Sequence, residues 1–242
     1  MSTDHSVLTI RGLEVDVARK DIKNLHLGVY PPNGRVRVAA PLHVSDDAVR
    51  LAVIGKLAWI RRQREKFTKQ SRQSEREAVT GESHYLFGRR YRLNLVNTNG
   101  RQHVVLRTKT KMELHVRPGA TTEQRLAVLD RWHRSQLRDK LQPMLADWQA
   151  TIGVTPSFWG IKRMKTKWGA CNAQDGRIWL NSELAKKPVG CLEYIVVHEF
   201  AHLLEPSHNA HFVELMDEFL PDWRSRSDHL NSSPLAHESW TY

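Results

Sequence analysis

The stretch Tyr194-Ile195-Val196-Val197-His198-Glu199-Phe200-Ala201-His202 decides how the chain is read. Its last five residues follow H-E-x-x-H, and the spacing has a physical reason. Residues four apart on an α-helix return to one face a turn further on, so His198 and His202 can present two imidazoles to a single metal ion. Glu199 falls at the edge of that face, where a carboxylate holds a water rather than the ion itself. The pattern is that of a zinc hydrolase core.

The surroundings give this short pattern weight. Pro188 suits a first helical turn and Pro206 stops a helix, which predicts a helix over Val189 to Leu204. Cys191, Leu192, Ile195, Val196, Val197, Phe200, Ala201, Leu203 and Leu204 make it apolar nearly all round, as in a buried helix. Buried polar groups without partners cost about 1–3 kcal/mol each, and one metal ion would satisfy two His and a Glu together. The plainer alternative is a pair of core histidines bonded to backbone carbonyls. His208 in the following turn, close behind the pair, weighs against it, and Glu205 and His211 are further candidates for a third ligand.

Upstream lies a second informative segment, Phe158-Trp159-Gly160-Ile161-Lys162-Arg163-Met164-Lys165-Thr166-Lys167-Trp168-Gly169-Ala170-Cys171-Asn172, followed by Gly176 to Asn181. It reads as two strands flanking a loop. Arg163, Lys165, Lys167 and Trp168 in that loop are the candidate substrate-binding residues, because clustered cations without a carboxylate suit phosphate or carboxylate groups. The same pattern also fits a hairpin with a core Trp and solvated lysines.

Working back to the start, 242 residues are enough for a large core or two lobes. Two cysteines, Cys171 and Cys191, give no disulfide framework, the first residues are polar, and Leu51-Ala52-Val53-Ile54 is too short to span a bilayer. A soluble, cytoplasmic protein without a membrane partner is expected. The net charge of +11 is concentrated between Lys56 and Lys111, whereas Glu205, Glu214, Asp217, Glu218 and Asp222 crowd the end. Such segregation suits a polyanionic partner, single-stranded nucleic acid among them, and equally suits a solvated basic face.

The remaining pattern is mixed. Short strands are predicted over Val7–Ile10, Leu13–Val17, Leu25–Tyr30 and Val36–Ala40, then a helix capped by Ser45 and running to about Lys69. A second β section, read as a meander, covers His84–Leu86, Arg90–Val96, His103–Arg107 and Met112–Val116. After Pro118-Gly119 a long amphipathic helix starts at Thr121 or Thr122 and ends near Gly153, with Pro143 as a possible kink. No internal repeat is evident.

The ordered set Arg163 to Cys171, Leu180-Asn181, Tyr194 to His202, then His208-Asn209 with Phe212, resembles the YgjP-like metallopeptidase-related family, a neighbour of the SprT-like and WLM zinc peptidases. Ala170, where that family usually has Ser, and Val213, where it often has Trp, depart from its pattern. The resemblance implies Zn2+ held by His198, His202 and His208, with Glu199 as general base on a zinc-bound water. The order of the elements reads as an α+β fold: a β-rich basic N-terminal half with a helix (residues 1–118) and an α-rich zincin-like C-terminal half carrying the H-E-x-x-H helix (residues 119–242). The reading is a zinc-dependent metallopeptidase. Its alternatives are a metal-dependent nucleoside triphosphate pyrophosphatase, with Arg163, Lys165 and Lys167 on the phosphates, and a nucleic-acid-binding protein with a structural metal.

Overall fold

The computed structural model describes residues 4–30, 34–69, 76–164 and 167–232. It is mixed α+β, as expected, and its described residues divide into two compact units, one before residue 70 and the other from residue 76 on.

In the first unit β1 (Asp4–Ile10), β2 (Leu13–Lys20), β3 (His26–Tyr30) and β4 (Arg35–Pro41) form a sheet in the order β1-β2-β4-β3. Arg11 and Gly12, both at positive φ (49° and 77°), make the tight β1–β2 turn. Strand alternation sends Val15, Val17, Val36 and Val38 to one face, where Val49, Val53 and Ile60 complete the core. Those last residues belong to two helices, α1 (Asp46–Gly55) and α2 (Leu57–Lys69), rather than the single one expected. The Ser45 hydroxyl caps α1 by accepting from the Ala48 amide. At Lys56, the C-cap, the backbone leaves helical geometry (φ −110°, ψ 7°), which ends α1 at Gly55.

The second unit opens with β5 (Ser83–Leu86), β6 (Arg89–Asn97), β7 (His103–Leu106) and β8 (Lys111–Val116). Their order, β5-β6-β8-β7, corrects the expected meander: β8 inserts between β6 and β7 and runs parallel to β6. The wiring repeats that of the first sheet, including a positive-φ pair, Phe87-Gly88, at the first turn. The absence of a repeat in the sequence reading is thus corrected at the level of topology, because strand pairing repeats while side chains do not.

Next comes α3 (Thr122–Ile152), capped by a reciprocal Thr121–Gln124 box and closed by Gly153 in the left-handed region. Its first half packs Val128 and Leu129 on the β5–β8 sheet. Its second half packs Leu137, Leu141 and Leu145 into the core around the helix that carries H-E-x-x-H. One helix is thus shared by both cores of the second unit.

The upstream segment forms three strands rather than two: β9 (Phe158–Lys162), β10 (Gly169–Asn172) and β11 (Arg177–Asn181), ordered β10-β11-β9. A 3-10 helix (Ser182–Lys186) leads into α4 (Val189–Leu204), followed by α5 (Ala210–Phe219) and α6 (Trp223–Ser232). Buried Leu192, Val196, Val197 and Phe200 hold α4 in the core, as its composition requires. No helix among the described residues is long and apolar enough to cross a membrane.

Candidate metal centre

The helix α4 carries His198, Glu199 and His202, and the turn after it carries His208. The ligand atoms of the three histidines all lie within 4.8 Å of one another, the one such cluster among the described residues. The Nε2 atoms of His198 and His208 are 3.2 Å apart. Tetrahedral zinc with bonds of about 2.0–2.1 Å spaces its ligands by about 3.3 Å, so this pair already stands at a coordinating separation.

Each imidazole is set up by its surroundings. The Nδ1 of His202 lies 3.1 Å from the Glu205 carbonyl oxygen, which can only accept, so Nδ1 carries the proton and Nε2 keeps its lone pair. Burial, then the neighbouring His202 and His208, pushes His198 down to about 3 and leaves it neutral, the form that binds a metal. Burial also lowers His202. His208 is placed by the turn, where the Glu205 carboxylate accepts from the Ser207 amide at 3.0 Å and the Asn209 side chain caps α5 by accepting from Phe212. Glu205 is therefore spent on shaping the turn. His211, 60% exposed at its side chain, lies 3.6 Å from Glu214 and outside the cluster.

Beneath the three rings lies Phe212, with centroids 5.0, 4.6 and 4.7 Å from those of His198, His202 and His208. It is 3% exposed. Tyr194 closes another side, its ring edge-on to His198 at 5.8 Å and stacked on Trp223. The histidines thus stand on an apolar floor, which shields the site from water on that side.

Glu199 is 4% exposed, and its Oε2 has no hydrogen-bond partner. Burial pushes its carboxyl up to about 8, with Lys167 pulling the other way. Its side chain lies against Gly169 of β10, where a β-carbon would stand 2.2 Å from Oε1. A buried, unpartnered carboxyl beside three clustered imidazoles, one of them with its own buried Nδ1 unpartnered, is a donor set that a divalent cation fits.

The candidate loop is only partly assembled at this site. Lys167 is close enough to act electrostatically on both Glu199 and His202. Arg163 instead lies 3.7 Å from Asp130 of α3. The half-buried Trp168 packs against the core, with the Lys187 ammonium 5.3 Å over its ring. Lys165 lies outside the described residues. Asn181, 4% exposed, ties the loop down at both ends: its Nδ2 donates to the carbonyls of Met164 at 2.8 Å and Lys167 at 2.7 Å. Its Oδ1 accepts from the amides of Met164 and Glu183. Burial and then Glu199 push the Cys171 thiol up to about 11, away from the thiolate form.

The sequence profile of the YgjP-like, metallopeptidase domain matches residues 23–233. The chain belongs to the YgjP-like metallopeptidase family. A metal ion goes with that membership, and the three histidines are where this YgjP-like chain can hold one. Among solved structures it is similar to the metallopeptidase zymogen of Pyrococcus abyssi abylysin, at 17% identity and a TM-score of 0.35, over 39% of this chain and 98% of that one. No curated protein matches it.

Gly169, Asn181 and Phe212 stand in the motif set that carries the family resemblance, but no role at the site was read for them from the sequence. A glycine within a strand signals close approach of another group, and Gly169 was the one signal available. Nothing in helical spacing says that Phe212, on a different helix, would underlie three histidines.

Proposed function

We propose that the chain is a zinc-dependent peptidase, with His198, His202 and His208 as the metal ligands and Glu199 as general base. The observation that carries this reading is the buried Glu199 carboxyl, unpartnered and pressed on Gly169, beside three histidine ligand atoms within 4.8 Å of one another. Zinc, when bound, supplies Lewis acidity toward a carbonyl oxygen and brings the pKa of a water to about 7. Glu199 accepts the proton of the attacking water and delivers it to the departing amine, a role typically worth about 10²–10⁴-fold. Held against Gly169, it has little freedom to leave that position. Lys167, fixed through its carbonyl by Asn181, offers a cation to the substrate backbone or its C-terminal carboxylate. A peptide is favoured over a nucleoside triphosphate because Arg163, needed for the phosphates, is placed with Asp130. A cytoplasmic location is consistent with two unpaired cysteines.

The test is to incubate the zinc-loaded protein separately with a denatured protein and a set of nucleoside triphosphates, alongside Glu199→Gln. Cleavage of the polypeptide that Glu199→Gln abolishes while keeping its zinc is the expected result. Triphosphate hydrolysis without polypeptide cleavage, or full activity in Glu199→Gln, would overturn the proposal.

A further inference from the structure

The sheet β10-β11-β9 has an outer face that the metal centre does not use. Trp159, Ile161, Ile178 and Leu180 turn inward to the core, so alternation sends Phe158, Gly160, Lys162, Arg177 and Trp179 to the opposite side. Register places Phe158 opposite Arg177 and Gly160 opposite Trp179. The indole lies across β9 on Gly160, where a β-carbon would stand 2.6 Å from its Cζ3. The Phe158 ring follows at 5.1 Å between centroids and is 45% exposed. On the other side the Lys162 ammonium sits 4.4 Å from the indole centroid.

Charge and shape point to one kind of occupant. None of the three strands carries a carboxylate, and Asp175 in the β10–β11 turn is bound to the Asn172 side chain at 2.8 Å. Two aromatic planes edged by Lys162 and Arg177 match a chain of flat, unpaired rings joined by phosphates. A duplex hides the faces of its bases, and an acidic polypeptide matches the cations but not the aromatic planes. The exposed amide of the face, Asn172, is already engaged by Asp175, so it is not placed to read a ribose 2′-hydroxyl.

We infer that this face binds single-stranded DNA, with bases stacking on Phe158 and Trp179 and phosphates held by Lys162 and Arg177. Three strands spaced about 4.8 Å apart give room for two or three nucleotides. Lys162 changes role on binding: it leaves the indole to an incoming base and takes the adjoining phosphate. The platform differs from Trp168, whose ring is packed against the core under Lys187. Because the face points away from Glu199, which lies on the Gly169 side of the sheet, binding does not require zinc.

The experiment is fluorescence anisotropy of the full chain with a labelled oligothymidylate, with and without a chelator, against the matching duplex and the matching ribo-oligomer. The expected result is binding that survives chelation, weakens with salt and exceeds that of the other two nucleic acids. Phe158→Ala, at an exposed position, should lose about tenfold in affinity through lost stacking. The double variant Lys162→Glu, Arg177→Glu should lose at least about tenfold, while the same charge change at the exposed Arg89 and Arg90 of β6 should cost under about twofold. Circular dichroism melts confirm that each variant is folded. Equal losses in the two double variants would reduce the effect to net charge and overturn the inference. So would unchanged affinity in Phe158→Ala, displacement by polyglutamate as readily as by unlabelled oligomer, or tighter binding of the duplex or the ribo-oligomer.

Discussion

Gly169→Ala adds one methyl group where β10 meets the metal helix, and its cost can be worked out from the contacts. The new carbon would stand 2.2 Å from Oε1 of Glu199 and 2.7 Å from both Cδ and Cγ. Comfortable contacts between such atoms are about 3.5–4.0 Å, so more than an ångström must be recovered. β10 is held to β11 over four residue pairs and α4 is buried in the core, which makes the Glu199 side chain the softest of the three. Its displacement takes the proposed general base out of its working position, and kcat on a denatured protein should fall about 10²–10⁴-fold. Overpacking of this kind costs about 1–3 kcal/mol, a fall in Tm of roughly 2–12 °C for a unit of this size. Zinc content should stay at one per chain, since no histidine is touched. Adding Glu199→Gln to Gly169→Ala should slow the enzyme no further than Glu199→Gln alone, because both remove one function. Wild-type kcat in Gly169→Ala, or a loss of zinc that accounts for the lost turnover, would refute the reasoning.

Metal analysis of single alanine variants should show zinc lost at His198, His202 and His208 and retained in Glu205→Ala and His211→Ala, whose side chains serve the turn and pair with Glu214. Phe212→Ala removes the floor on which three rings rest, so zinc affinity by competitive chelation should drop about 10–100-fold while Phe212→Leu keeps most of it. The buried His84 has its pKa lowered to about 4, chiefly by burial. Between about 4 and its ordinary value of 6.5 the unfolded chain binds a proton there that the folded chain does not, so its contribution to stability is present above that window and lost as the pH falls through it. Urea melts across this range should fall less steeply with acid in His84→Gln than in the wild type, and an unchanged slope would contradict the assignment.

Elements whose cause is local were legible in the sequence. Pro188 and Pro206 bracket α4, whose bounds at Val189 and Leu204 are those expected, and the Thr121 cap and Gly153 stop of α3 are likewise local signals. Pairing order was not legible, because a period of two says which side chains face inward but not which strand lies alongside; hence β8 beside β6 escaped the reading. That α3 serves two cores was not legible for a related reason, because only packing shows it. At the site, two of the histidines and Glu199 follow from helix periodicity, whereas the place of Arg163 depended on Asp130, a residue distant in sequence whose role no spacing announces.

The repeated wiring of the two four-stranded sheets bears on how the molecule breathes. In each, the parallel pair joins residues only about twenty positions apart, Val15 with Val36 and Arg92 with Lys111, so closing either sheet takes a short loop and little entropy. Each sheet can re-form by itself after opening, without waiting for contacts made by the other. Amide exchange should accordingly report separate tiers of protection, one for each sheet, and stripping the metal should loosen α4 and the turn after it while leaving the tier of β1 to β4 untouched.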